Sequence, residues 1–244
     1  MPVATQRRIE TPRHAAFVRV THWITVLAFL ALLVSGAEIV ISHPRFYWGE
    51  VGNVNTVPLF SLPIPSSRGM VPTGYGYVLP DQNGWSRYLH FQTAWVLVLT
   101  GLVYGVAGLW TGHFRKNLIP EPGKRTWRAY RDRLMQYLRR SPPDAGEARS
   151  YNVLQRTAYL TVIFVLFPLV IWTGVALSPS FDSAFPWAVN VLGGRQSART
   201  LHFLLSAALV LFLVAHITMV ALSGFGSRMR AMITGRAATP EERP

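Results

Sequence analysis

Three histidines in this chain each follow an arginine by three residues, in the pairs Arg19–His22, Arg87–His90 and Arg199–His202. Residues at positions i and i+3 share a helix face, so each arginine would lie one turn from its histidine. His216 follows His202 by 14 residues, almost four helical turns, so both rings would share one face about 21 Å apart. Cationic side chains beside histidine ligands favour an anionic, histidine-bound cofactor, and haem is the obvious candidate.

The residues that must position these histidines are apolar and clustered in long runs. The chain has 244 residues, of which 50% are hydrophobic, and a mean hydropathy of +0.24. Four segments reach the roughly 20 residues needed to span a bilayer: Trp23 to Ile41, Tyr88 to Trp110, Ala158 to Leu177 and Leu201 to Leu222. We predict an all-α integral membrane protein, a four-helix transmembrane bundle that forms one domain over residues 1–244.

With their flanking turns, the predicted spans cover about 12–41, 87–112, 155–178 and 199–225, joined by a loop at 42–86 and a basic loop at 113–154. The first span begins early because Thr11 and Pro12 resemble a helix start, with a threonine cap and proline in the first helical position. A cleaved signal peptide would have a shorter apolar run and a small-residue cleavage site, so this segment is predicted to be retained.

The basic charge of the chain predicts its orientation. Of the 24 lysines and arginines, 19 lie before the first predicted span, after the last or between 115 and 156, and only 5 lie in the other two connections. The positive-inside rule therefore predicts cytoplasmic termini and a cytoplasmic basic loop in a bacterial inner membrane protein. Orientation accounts for the net charge of +13, so we do not expect binding to nucleic acid.

This orientation gives each histidine a depth. His22 and His216 lie toward the cytoplasmic side, whereas His90 and His202 lie toward the periplasmic side. A bis-histidine haem needs two ligands at one depth from different helices, so we predict two stacked b haems, each bound by one of these pairs. A single histidine in a span can instead be a packing residue or part of a proton relay. The remaining histidines are expected to be interfacial: His14, His43 and His113.

The chain has no cysteine, which excludes disulfides, iron–sulfur ligation by thiolate and covalent c-type haem. Histidine is then the expected iron ligand. With both axial positions of each iron taken by histidine, no position is open for oxygen or substrate, so electron transfer is the expected chemistry.

The arginines one turn from the histidines have two interpretations. As cofactor ligands, Arg19, Arg87 and Arg199 would bind haem propionates through charge-assisted hydrogen bonds, with Arg87 and Arg199 serving the periplasmic haem. As interfacial anchors, the same side chains would extend to the membrane surface.

A weak internal repeat relates spans two and four. The pattern Arg-x-x-His-Phe begins at Arg87 and at Arg199, and glycine follows each histidine by 22 residues, at Gly112 and Gly224. Tyr104 takes the place equivalent to His216, so span two supplies one ligand. Three glycines within spans are candidates for close approach of a macrocycle or another helix: Gly36, Gly101 and Gly174.

The distribution of histidines over spans one, two and four, with none in span three, resembles the membrane cytochrome b subunits of bacterial formate dehydrogenase, nickel–iron hydrogenase and thiosulfate reductase. The segment Tyr151-Asn152-Val153-Leu154-Gln155 and the pair Thr173-Gly174 are also similar to that family. The resemblance covers the four spans and implies a di-haem, quinone-reactive subunit, with quinone near Asn152 and His216. Leu154 departs from the pattern, because the formate dehydrogenase subunit has glycine there.

The predicted function is a di-haem b-type cytochrome subunit that transfers electrons between a periplasmic oxidoreductase and the quinone pool of the respiratory chain. The sequence holds no binding motif for molybdopterin, flavin or nickel, so the catalytic centre is expected in the partner. Two alternatives remain: a stand-alone superoxide:quinone oxidoreductase with an open periplasmic haem edge, and a haem-free membrane anchor or transporter.

Two connections also carry predictions. The loop at 42–86 is long and rich in proline and aromatic residues, so it would cover the periplasmic haem, receive a partner or form an interfacial aromatic belt. Trp127, Tyr130, Leu134 and Tyr137 recur among arginines at roughly helical spacing, and their stretch would lie on the anionic inner leaflet. Glu38, the one carboxylate inside a span, is expected to make a local polar contact.

Overall fold

The computed structural model describes residues 14–53, 55–64, 82–139, 152–222 and 224–236. The predicted helix start at Thr11 and Pro12 lies outside these residues, and so does Tyr151 of the motif before span three. In chain order the helices are α1 (Ala16–Ser42), α2 (Gln82–Trp110), α3 (Trp127–Leu138), α4 (Val153–Thr161), α5 (Phe167–Val175), α6 (Pro179–Ala184), α7 (Pro186–Asn190), α8 (Arg195–Leu222) and α9 (Phe225–Thr234). Two short strands, β1 (Arg45–Phe46) and β2 (Phe60–Ser61), form an antiparallel pair.

Four helices of the described chain are long and apolar enough to cross a membrane: α1, most of α2, the continuous helix Val153–Val175 and α8. Their outer faces are apolar, since Leu27, Leu109 and Leu211 are 69%, 73% and 71% exposed. A helix that is apolar on all sides and exposed on one is typical of a membrane span. The prediction of an all-α protein with four spans is confirmed at this level.

The third span is one helix made of three pieces. A π-helical turn, Val162–Leu166, connects α4 to α5 and ends two residues before Pro168. Proline has no N–H to donate, and its ring collides with the carbonyl four residues earlier in a regular helix. The wider π turn allows the span to continue past Pro168 to Val175.

We call the end of the bundle where α1 begins and α8 ends the lower end, and the opposite end the upper end. Between them, Val162, Val170 and Leu209 form a buried cluster against which Phe29 and Phe212 pack. Thus α1, the third span and α8 meet in an apolar layer midway along the bundle.

The first connection packs on the upper end of α8. Phe46 of β1 stacks on Phe60 of β2 at 4.8 Å between ring centroids and contacts Phe203 of α8 at 4.4 Å. A hydrogen bond from a side chain to the loop backbone adds to this packing. The hydroxyl of Thr200 donates to the backbone carbonyl of Tyr47 at 2.6 Å. The described part of this loop therefore packs over the upper end of α8.

The lower end is closed by α3 and α9. α3 packs on α4, and the hydroxyls of Tyr130 and Thr157 are 2.8 Å apart. α9 follows α8 after a turn and lies against α1, where the indole N–H of Trp23 donates to the carbonyl of Met232 at 3.3 Å.

The two glycines of the sequence repeat have the same structural role. Gly112 and Gly224 each stand two residues after the last residue of their span and have φ angles of 66° and 89°. Glycine adopts this left-handed conformation without the steric cost that a Cβ would add, and it commonly ends helices for that reason. The repeat therefore places a histidine and a helix end at the same spacing in α2 and α8.

Candidate cofactor site

The structure brings the four span histidines together in two pairs. At the upper end, His90 of α2 faces His202 of α8, with ring centroids 6.1 Å apart and ring planes at 70°. At the lower end, His22 of α1 faces His216 of α8, with centroids 6.4 Å apart and planes at 54°. We call these the upper pair and the lower pair.

Hydrogen bonds define the tautomer of His202. Its Nδ1 lies 3.0 Å from the carbonyl oxygen of Val170 and 3.2 Å from the hydroxyl oxygen of Thr173. A carbonyl can only accept, so Nδ1 carries the hydrogen and donates it. Nε2 of the neutral ring then keeps a free lone pair, as a metal ligand must.

The same reasoning applies to His90. Its Nδ1 lies 3.0 Å from the hydroxyl oxygen of Ser35, and that hydroxyl donates its own hydrogen to the carbonyl of Ala31 at 2.7 Å. Because a hydroxyl has one hydrogen, the Ser35 oxygen accepts from His90 Nδ1–H. Nε2 of His90 is again left free.

Two of the three predicted close-approach glycines lie against these rings. A Cβ on Gly36 would be 3.6 Å from Cε1 of His90, and one on Gly174 would be 3.0 Å from Cε1 of His202. Gly101 has nothing within 4 Å of the place where its Cβ would be. The close approach at Gly36 and Gly174 is therefore to the two histidine rings of the upper pair.

The lower pair lies among aromatic side chains. Phe212 stacks on His216 at 5.8 Å, and Tyr159 meets the His216 ring at 6.2 Å. Trp23 lies edge-on to His22 at 5.4 Å. Nδ1 of His22 is buried and has no hydrogen-bond partner among the described residues.

Both pairs fit a metal held between two imidazoles. A metal–imidazole bond of about 2 Å on each side separates the ring centroids by about 6 Å, which agrees with the 6.1 and 6.4 Å found. No group of three or more His, Cys, Asp or Glu side chains within the described ranges could hold an ion. Two histidines alone therefore suit a metal that brings its other ligands with it, as haem iron does.

A cationic pocket adjoins the upper pair. It has a volume of about 420 Å³ and is lined by Ile39, His43, Glu50, Arg87, Leu177, Arg195, Gln196 and Arg199. Arg87 and Arg199 stand one turn above His90 and His202, so the sequence spacing brings both arginines to one pocket. Two polar atoms in this lining, Nε of Arg199 and Oε1 of Gln196, are buried without a described partner.

The guanidinium of Arg199 also contacts the loop that follows α1. Its guanidinium lies 5.5 Å from the ring centroid of Phe46 and 5.8 Å from that of Tyr47. It also donates a hydrogen bond to the backbone carbonyl of Arg45. Arg199 therefore joins the loop to α8, a contact that its position in the sequence does not reveal.

Asn152 caps α4, a role that its spacing from Gln155 is typical of. Its side-chain Oδ1 accepts from the backbone N–H of Gln155 at 3.0 Å, and the backbone N–H of Asn152 donates to Oε1 of Gln155 at 3.3 Å. This is a capping box, which satisfies backbone donors at the start of α4. The Asn152 amide also donates to the hydroxyl of Tyr137, joining α3 to the third span.

His113, expected at the interface without a partner, lies in an aromatic cluster at the lower end. Its ring meets Phe17 at 5.5 Å and Tyr104 at 6.0 Å, and its Nδ1 lies 3.0 Å from Nδ2 of Asn117. Because the Asn117 amide donates, His113 Nδ1 accepts. Partial burial lowers the pKa of His113 below its ordinary value.

Comparison with known proteins identifies the family. The chain matches the family model described as prokaryotic cytochrome b561 over residues 13–235. This chain belongs to the prokaryotic cytochrome b561 family. Membership implies a membrane electron-transfer cytochrome with b-type haem, and it confirms the resemblance that the histidines and the Asn152 segment indicated. It also favours a haem protein over the haem-free anchor or transporter.

Three relatives are similar over most of their length. A protein of Azospira oryzae with the provisional name protein-methionine-sulfoxide reductase subunit YedZ1 is 31% identical over 86% of this chain and 90% of its own. Two other relatives are provisionally named Ni/Fe-hydrogenase B-type cytochrome subunit. The one from Rhodobacter capsulatus is 25% identical over 98% of this chain and 85% of its own length. The one from Bradyrhizobium diazoefficiens is 26% identical over 84% of this chain and 75% of its own length. No solved structure matches this chain.

Proposed function

We propose that this protein is a di-haem b-type cytochrome subunit that transfers electrons across the bacterial inner membrane between a periplasmic redox partner and the quinone pool. The observation that carries the proposal is the presence of two histidine pairs at opposite ends of one four-span bundle. His202 and His216 on α8 connect the two levels, and α2 and α1 each supply one partner ring.

The four histidines would be the iron ligands of both haems. Bound haem supplies reversible one-electron chemistry, and histidine on both sides leaves no open iron position for a substrate. The protein contributes neutral imidazoles with a defined orientation at the upper pair, where Nδ1 of each ring is hydrogen-bonded. The apolar layer around Leu209 keeps water from the region between the pairs.

The arginines would bind the carboxylate side chains of the haems. At the upper pair, Arg87 and Arg199 line one pocket, and the unpartnered Nε of Arg199 is a donor available to an anion. At the lower pair, Nε of Arg19 is likewise buried without a described partner. Guanidinium donors of this kind form strong, directional bonds to carboxylates.

The charge distribution supports the proposed orientation. The lower end would face the cytoplasm because the segments that follow or precede the spans at that end carry, in the sequence, 19 of the 24 lysines and arginines. The upper end would then face the periplasm and the partner. Relatives that carry names of reductase and hydrogenase subunits support a partner oxidoreductase.

The quinone would bind at the lower end, near Asn152 and His216. Asn152 donates its amide hydrogen to the Tyr137 hydroxyl oxygen, so the hydrogen of that hydroxyl can go to another acceptor. A quinone carbonyl is such an acceptor. In this proposal Asn152 orients Tyr137, and Tyr137 contacts the quinone.

The pocket at the upper pair also favours a second candidate function, a stand-alone superoxide:quinone oxidoreductase. Its lining contains Arg87, Arg195 and Arg199 against one carboxylate, Glu50. A cationic entrance attracts a small anionic reductant. Under this alternative, superoxide would reduce the isolated chain rapidly, whereas a partner-dependent subunit would respond slowly.

Haem content and quinone reactivity of the purified full chain test the main proposal. We expect two b haems per chain by pyridine haemochrome assay, and reduction of both by a quinol such as decylubiquinol. One haem or none per chain would overturn the di-haem proposal. Two haems without any reaction with quinol or quinone would overturn the quinone assignment.

A further inference from the structure

Each upper histidine sits against a hydroxyl residue followed by glycine on a neighbouring helix. On α1, Ser35 bonds to His90 and Gly36 lies under the ring. On α5, Thr173 bonds to His202 and Gly174 lies under the ring. We call Ser35-Gly36 and Thr173-Gly174 the two histidine seats.

The two seats have the same internal geometry. The Ser35 hydroxyl donates to carbonyls four and three residues earlier, at 2.7 and 3.2 Å. The Thr173 hydroxyl does so at 2.8 and 3.1 Å. In both cases the hydroxyl hydrogen is engaged within its own helix, so the oxygen is oriented to accept from histidine Nδ1.

Both seats are buried. Ser35 is 0% and Thr173 is 1% exposed, so water does not compete for these hydroxyl oxygens. The adjacent glycine allows the ring to approach the helix closely enough for the hydrogen bond. A side chain at Gly174 would meet Cε1 of His202 at 3.0 Å, closer than nearly all Cβ contacts.

The lower pair has no equivalent of these seats at His22. Nδ1 of that ring is buried and has no partner in the described part of the chain. A hydrogen bond from the distal ring N–H makes an imidazole ligand more basic, and bonds of this kind are one means by which a protein adjusts a haem potential. Among the described residues, the upper pair therefore carries a tuning element that His22 lacks.

We propose that Ser35 and Thr173 are positioning residues that fix the tautomer and orientation of the upper histidines and hold the reduction potential of the upper haem below the value it would have without them. This inference rests on the proposed di-haem function. More basic ligands stabilise ferric iron, so loss of the acceptor is expected to raise the potential. Each ring also has a backbone carbonyl partner on the same neighbouring helix, Leu32 for His90 and Val170 for His202, so each hydroxyl is expected to supply part of the effect.

Redox titration of the purified full chain tests this inference. Ser35→Ala removes one acceptor and Thr173→Val another, while Thr173→Ser keeps the hydroxyl. The matched control is Ser206→Ala, because the Ser206 hydroxyl donates to the backbone carbonyl of His202 at 2.7 Å rather than to its ring. The His90→Ala variant assigns the two midpoints by removing the upper haem.

We expect Ser35→Ala and Thr173→Val each to raise the upper midpoint, and Thr173→Ser and Ser206→Ala to leave it unchanged. The lower midpoint should stay constant throughout, and the ferric low-spin electron paramagnetic resonance signal of the upper haem should shift with its midpoint. Loss of only the upper haem in Ser35→Ala would also support the positioning role.

Full haem content with an unchanged upper midpoint in both Ser35→Ala and Thr173→Val would overturn the inference while leaving the di-haem function intact. Fewer than two haems in the unmodified chain would overturn the proposed function, and that result is visible before any variant is titrated.

Discussion

Nη1 of Arg19 donates a hydrogen bond to the backbone carbonyl of Ile233, 2.7 Å away, and so joins the first span to the last turn of α9. Gly235, at φ 81°, ends that helix beside the guanidinium. The last carbonyls of a helix lack partners within it, and a cation there also interacts favourably with the helix dipole. Arg19 thus holds α9 over the lower end, one turn from His22.

Replacing Arg19 should loosen α9. We expect Arg19→Gln to weaken the docking of residues 225–236 by about 1 kcal/mol, because a charged donor to the helix end is lost. Faster amide hydrogen exchange in this segment would show the effect. Arg87→Gln, at the opposite end, is the control and should leave exchange there unchanged. Equal exchange in the Arg19 variant and the unmodified chain would contradict the role.

Removing one histidine should remove one haem. His90→Ala and His202→Ala should each lose the upper haem and keep the lower, because the pairs lie at opposite ends of the bundle. His22→Ala should lose the lower haem and keep the upper. Haem-to-protein ratio and the reduced-minus-oxidised spectrum measure this, with His113→Gln as a control that retains both. Loss of both haems from a folded His90→Ala protein would be incompatible with separate sites.

The two seat glycines should differ in their tolerance of a methyl group. At Gly174 the new Cβ would meet His202 at 3.0 Å, whereas at Gly36 it would meet His90 at 3.6 Å, an ordinary contact. We expect Gly174→Ala to displace the ring and reduce upper haem content, and Gly36→Ala to retain it. Haem stoichiometry of the two variants, prepared identically, gives the comparison. Equal retention would show that the His202 ring can move without cost.

Substitutions at Asn152 should separate helix capping from quinone reactivity. Asn152→Ala removes the cap of α4 and should cost about 1 kcal/mol, seen as a lower Tm. Asn152→Ser can keep the cap but cannot donate an amide hydrogen to Tyr137, so it should retain Tm and lower the rate of quinol oxidation. Thr126→Ala is a control for the loss of a helix cap, since the Thr126 hydroxyl caps α3 by accepting from the N–H of Ala129. A normal quinol rate in Asn152→Ser would rule out the orienting role.

The helical spans were predictable because their signal is local. Length and continuous apolar character identify a membrane helix without reference to its neighbours, and periodicity places His202 and His216 on one face. The repeat of Gly112 and Gly224 was visible as spacing, although its role as a helix end depended on backbone conformation. The exact ends of the helices were harder to predict from the sequence. The start of α8 at Arg195, for example, is stabilised by Glu50, which accepts a hydrogen bond from the Arg195 N–H at 2.9 Å.

The partners of the site residues were not predictable in the same way. Arg19 and Arg199 have identical spacing to a histidine, yet the first contacts α9 and the second contacts the loop at Phe46. Resemblance assigns Asn152 to a quinone site, and its spacing from Gln155 is typical of a helix cap, whereas its bond to Tyr137 is visible only in the fold. Identical local patterns have different contacts because other segments pack beside them.

By itself, the sequence determined which segments are long and apolar enough to span a membrane, which histidines share a helix face and which residue types could bind an anionic cofactor. These properties follow from hydrophobicity and helical period, which act over a few turns. Only the tertiary structure decided that Ser35 would accept from His90, 55 positions away in the chain, and that Thr173 would do the same for His202. Such contacts depend on how two helices are rotated and shifted against each other, and packing of the whole bundle sets that relationship.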